Sequence, residues 1–130
     1  MICNNTVKPE FTSSNMTTSF DVVEGSDDFE IHLPAKGNPP QIHYFWFKNG
    51  ISLTSNKRMS MTGPTMLIRQ VSRDDHGVYS IRAANTEGSS NTSFLLNVLC
   101  EFIFLVLILT KELLRLSSLY FTVTPYCNHS

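Results

Sequence analysis

The chain has 130 residues, ten Lys and Arg against eleven Asp and Glu, and a formal net charge of −1 at pH 7. That length holds one domain of about 100 residues with a tail, and it excludes two full domains. The balanced charge, with no long run of one sign, excludes the electrostatic footprint of a nucleic-acid binder, and 42% hydrophobic with 11% aromatic residues excludes wholesale disorder.

The apolar residues divide the chain into three textures. Met1 to Ser19 is dominated by Thr, Ser and Asn and reads as a flexible arm. From Phe20 to Leu99, short alternating runs are separated by Gly, Pro, Asn and Asp, the pattern of many short strands. From Cys100 onward, EFIFLVLILTKELLRLSSLYFTVTPYCNHS is densely apolar with no turn signal until Pro125. The start, MICNNTVKPEFTSS, lacks the basic residues and apolar stretch of a signal peptide, so either the protein is intracellular or its true start lies upstream. Cys3, Cys100 and Cys127 all fall outside the alternating region, so no disulfide is expected to staple its interior. Four Asn-x-Ser/Thr triplets, at Asn4, Asn15, Asn91 and Asn128, would accept glycans in a secretory lumen.

In chain order, SFDVVEG predicts an edge strand ending at Gly25, and Phe29, Ile31 and Leu33 alternate with Glu30 and His32 as a half-buried strand. PAKGNPP predicts a loop, because its prolines cannot donate ladder hydrogen bonds and Gly37 permits a left-handed backbone. In QIHYFWFKNG, Ile42, Tyr44 and Trp46 share one face and His43, Phe45 and Phe47 the other, before a strong Asn49-Gly50 turn. ISLTS and KRMSMT are short strand candidates ahead of a break at Gly63-Pro64. TMLIRQV turns Met66 and Ile68 inward with Val71 at the corner. GVYSIRAAN alternates Val78 and Ser80 with Tyr79, Ile81 and Ala83, and NTSFLLNVL aligns Phe94, Leu96 and Val98. Seven or eight strands spaced roughly 8–12 residues apart predict an all-β, two-sheet antiparallel sandwich.

AKGNPP, the WFKNG around Trp46 and MLIRQVSRDDHGVYSIRAANTEG together resemble an immunoglobulin domain of the I-set kind. The resemblance runs from Lys8 to Leu99, leaving residues 1–7 as arm and residues 100–130 as tail. It implies that Asp75, Gly77 and Tyr79 form the family's D-x-G-x-Y corner, with the Tyr79 hydroxyl bonding back to main chain and Asp75 pairing across the rim with Arg58. An exposed pair of that kind is worth at most about 1 kcal/mol. It also implies a core of Leu33, Trp46, Ile81 and Tyr79, in which Leu33 and Ile81 stand where the family usually carries its inter-sheet cysteines. Closing that loop by a disulfide would be worth roughly 4 kcal/mol. Burying two aliphatic side chains against Trp46, at roughly 1.5–3 kcal/mol each, replaces part of it.

His43, Phe45 and Phe47 make an unusually aromatic outward face, and with Arg82 on the neighbouring strand they are the candidate partner-binding patch. The alternative is that a loop or the tail covers these rings. The four histidines and three cysteines lack zinc-ligand spacing, and Asp75-His76 stands without a nucleophile elbow, so neither a metal, a cofactor nor an enzyme is expected. In the tail, Phe102 to Leu109 is shorter than the about 20 apolar residues of a membrane span. An interfacial helix, a short membrane-associated segment and non-native sequence after a truncated domain remain, and the divergence directly after Leu99 favours the last. The resemblance thus implies a non-catalytic module that binds a protein partner, homophilically or heterophilically, or spaces neighbouring modules. Its parent is either a cell-surface adhesion or recognition receptor of the nephrin-like or neural kind, favoured here, or a cytoplasmic titin-like filament-associated protein.

Overall fold

The computed structural model describes residues 5–12 and 18–100, together with Leu109, Lys111 and Glu112. The acceptors Asn4, Asn15 and Asn128 and nearly all of the apolar tail lie outside the described residues. The strands are β1 (Val7–Phe11), β2 (Ser19–Val23), β3 (Asp28–His32), β4 (Ala35–Asn38), β5 (His43–Lys48), β6 (Ile51–Ser52), β7 (Met59–Thr62), β8 (Thr65–Arg69), β9 (Gly77–Asn85) and β10 (Gly88–Leu99). A 3-10 turn, Arg73–Asp75, precedes β9. Five strands form one sheet in the order β2-β10-β9-β5-β6, three form another in the order β3-β8-β7, and β1 pairs with β4 alone.

Period-two burial joins the two larger sheets around one core. In β9, Tyr79, Ile81 and Ala83 are fully buried while Val78 and Arg82 face solvent. Ile31, Met59, Met66 and Ile68 from the three-stranded sheet belong to the same cluster as Trp46, Tyr79, Ile81, Phe94, Leu96 and Val98 from the five-stranded one. The Trp46 indole nitrogen donates to the Gly63 carbonyl at 3.0 Å, and the Leu33 amide donates to the adjacent Pro64 carbonyl at 2.8 Å. Consecutive carbonyls therefore bring Leu33 and Trp46 to one place, and Trp46 lies in register with Ile81. The β5–β6 hairpin closes through Asn49 and Gly50 at φ 50° and 80°, the positive values of a turn matched to strand twist.

The Tyr79 ring stacks on Phe94 with centroids 5.5 Å apart, and its hydroxyl donates to the Asp75 carbonyl at 2.6 Å. Burial, then the Asp75 charge, push the Tyr79 phenol up, so it stays protonated and donating. Tyr79→Phe strands that buried carbonyl without its donor. A loss of about 1–2 kcal/mol is expected, measured as a lower urea midpoint at unchanged m-value.

Two expectations need correction. The polar N-terminal stretch read as a flexible arm contains β1, which pairs with β4 through Val7 with Asn38, Glu10 with Lys36 and Phe11 with Ala35. A register shift between Val7 and Glu10 spans Pro9, which is buried there and has no amide hydrogen to offer a ladder. The stretch read as a loop contains β4, because Pro34 and Pro39 flank Ala35–Asn38 instead of interrupting it. Gly37 answers to space, not handedness: a Cβ there would stand 2.9 Å from Asn85 Nδ2 and 3.1 Å from the Pro9 Cα. The all-β, two-sheet antiparallel sandwich is as expected, and within it β2 runs parallel to β10 at one edge, from Ser19 opposite Leu95 to Val23 opposite Leu99. Periodicity reports which face a strand buries and is blind to chain direction.

Candidate functional site

The outward side of the five-stranded sheet is set by the same alternation that builds the core. His43 lies opposite Ala84, Phe45 opposite Arg82 and Phe47 opposite Ser80, so burying Trp46 and Ile81 turns these six residues outward. Phe45 is 49% exposed, with His43 and Arg82 also in solvent, while Phe47 is half-buried. A groove of about 370 Å³ opens along this face, lined by Pro39, Gln41, His43, Phe45, Ala84, Asn85 and Thr86. The structure thus brings His43 and Phe45 together at the groove, sets Arg82 directly beside Phe45, and leaves Phe47 one pair further along. A phenyl ring beside a guanidinium, both open to water, can receive an apolar group together with a carboxylate or a second ring.

Val78 was not singled out from the sequence, although the alternation in GVYSIR carries the signal. It is 49% exposed at the far end of β9, opposite Leu95, and extends the apolar character of the same face.

The rim pair has a different chemistry. Arg58 meets Asp75 through two parallel bonds, Nη1 to Oδ2 at 2.6 Å and Nη2 to Oδ1 at 2.7 Å. Asp75 is 2% exposed and also accepts the Ser72 amide at 2.8 Å, closing a capping box on the 3-10 turn. Burial alone would raise its pKa. The Arg58 hydrogen bond, the Ser72 amide and the charges of Arg58 and Lys48 outweigh that and hold the carboxyl below the usual range. With both oxygens engaged, this pair fastens the segment ahead of β7 to the turn ahead of β9. Among the described residues no cluster of three His, Cys, Asp or Glu could hold a metal ion, and no helix is long and apolar enough to cross a membrane.

Residues 8–85 match the family model described as immunoglobulin domain. The chain belongs to the immunoglobulin domain family. This immunoglobulin domain is 38% identical over 68 residues to hemicentin-2 of Mus musculus, a match over 51% of the chain and 1% of that protein. It is 29% identical over 92 residues to the tyrosine-protein kinase-like otk of Drosophila willistoni, over 69% of the chain and 8% of that protein. The solved extracellular domains 3–5 of Drosophila OTK superpose with a TM-score of 0.62 at 24% identity, over 72% of the chain and 32% of theirs. The complex of titin M10 with an obscurin-like 1 immunoglobulin domain superposes with a TM-score of 0.62 at 28% identity, over 72% of the chain and 96% of its counterpart. The immunoglobulin domain therefore spans only a small part of either relative matched by sequence.

Proposed function

We propose that the chain is a non-catalytic protein-binding module of the I-set kind, reaching from residue 8 to residue 99, and a piece of a cell-surface adhesion or recognition receptor. The observation that carries this reading is Phe45, half in solvent and directly beside Arg82 at the mouth of a groove. The likeness to extracellular domains of OTK supports the location, as does Cys100, which is disulfide-bonded at the end of β10. The partner this face fits is a second immunoglobulin-like domain. The cation and the ring are neighbours, so two copies related by a two-fold axis can set Arg82 of each on Phe45 of the other. The titin-like reading, in which the chain is an intracellular filament-associated module, keeps one supporting observation: the likeness to the titin M10 complex covers nearly all of its counterpart.

Beads coated with the full chain made without glycans test the face. Wild-type beads are expected to cluster, and the pair Phe45→Ser with Arg82→Ala to weaken association at least 30-fold, as loss of a central anchor of about 2 kcal/mol or more requires. The circular dichroism of the variant is expected to be unchanged. Equal clustering by wild type and variant, or no clustering by wild type, would remove the homophilic face.

A further inference from the structure

Asn91 begins the triplet Asn91-Thr92-Ser93 and is the acceptor motif that falls among the described residues. Its neighbours in the fold give it a meaning the motif alone lacks. The other asparagine side chains from Asn38 to Asn97 are committed to structure. Asn38 bonds the Asn5 carbonyl, Asn49 accepts the Val78 amide, Asn56 caps Arg58 and Met59, Asn85 bonds the Val7 and Pro39 carbonyls, and Asn97 bonds Asp21. Asn91 instead stands exposed on β10, with Ser93 exposed two residues on and therefore on the same outward side. Among the described residues, pairing of β10 with β2 begins at Ser19 opposite Leu95, four residues beyond Asn91. On the inner flank Asn91 lies opposite Arg82, and Arg82 lies opposite Phe45. The three residues form one row across three paired strands, which sets Asn91 about 10 Å from Phe45.

We infer that Asn91 carries an N-linked glycan and that this glycan covers Arg82, lowering self-association through the Phe45 face. The shielding half rests on the binding face proposed above; the acceptor half stands apart from it. In the transfer, the Asn91 side-chain nitrogen attacks C1 of a lipid-linked oligosaccharide diphosphate. The N–C1 bond forms, the C1–O bond to phosphate breaks, the amide gives up one proton to base, and the lipid diphosphate leaves. The result replaces an uncharged amide with a bulky, hydrated group beside the cation of the patch.

The test is to secrete the full chain from cultured animal cells behind an added leader, and to map the glycans by peptide mass. Wild type is expected to carry a glycan on the peptide holding Asn91, and both Asn91→Gln and Ser93→Ala to lose it. Sedimentation of the three proteins is then expected to show self-association at least tenfold tighter in both variants than in wild type. A bare Asn91 in wild type overturns the acceptor, whatever the face does. Occupancy with equal association in all three proteins overturns the shielding. Absence of self-association in every form, including enzymatically deglycosylated wild type, overturns the shielding together with the binding face and leaves occupancy to stand on its mass.

Discussion

The double change Leu33→Cys with Ile81→Cys is expected to make stability depend on redox state by about 4 kcal/mol, the value for closing a loop of about 50 residues. Geometry supports the bridge. The Leu33 amide and the Trp46 indole bond the consecutive carbonyls of Pro64 and Gly63, Trp46 is in register with Ile81, and all three side chains belong to one core cluster, so Leu33, just past β3, and Ile81 in β9 both lie beside one indole. In reducing buffer the variant is expected to be less stable than the parent by about 2 kcal/mol, because two thiols fill less of the core than the groups they replace. In oxidising buffer the crosslink is expected to reverse that loss. Urea melts of parent and variant in both buffers measure the effect, and subtracting the parent's response removes the bond at Cys100. Equal midpoints in both buffers would mean that the two positions do not come within bonding reach beside Trp46, and the assignment of Leu33 and Ile81 would fail.

The core was legible in the sequence where alternation is long and strongly contrasted. GVYSIRAAN separates Tyr79, Ile81 and Ala83 from Val78 and Arg82 over a nine-residue strand, and in the structure the first three have no exposed surface. The contact between Arg58 and Asp75, 17 residues apart, was legible only through the family resemblance, since nothing local joins them. The two-strand sheet of β1 and β4 was not legible. Within β1 only Pro9 is buried, and the half-buried positions of β4 are Ala35 and Gly37, too small to stand out as an apolar face against Lys36 and Asn38. The candidate face lies between these cases. One strand discloses His43, Phe45 and Phe47, but the row from Phe45 through Arg82 to Asn91 is a matter of register, and a slip of one residue would scatter it to both faces.

Arg58→Ala is expected to cost about 2 kcal/mol at neutral pH and, more diagnostically, to move acid unfolding toward neutrality. Breaking a fully buried ion pair costs about 3–5 kcal/mol, and the smaller figure follows because the Arg58 side chain is 39% exposed and water reaches its guanidinium. In wild type the Asp75 pKa lies below its unfolded value, so its contribution to stability is fully present above the ordinary carboxylate range, about pH 4, and is lost as pH falls through the folded pKa. Without Arg58, burial still raises the Asp75 pKa while the largest opposing influence is gone. The folded carboxyl then binds its proton at higher pH than in wild type. The gap between the two proteins is therefore expected to be widest at neutral pH and to close on acidification, as Asp75 becomes protonated in both. Asp75→Asn with Arg58→Ala is expected to lose less than the sum of the single changes, since the second change then removes no charge–charge contact. Urea melts of the four proteins between pH 3 and pH 7 measure both effects, and parallel pH profiles for wild type and Arg58→Ala would show that the rim pair contributes position without charge.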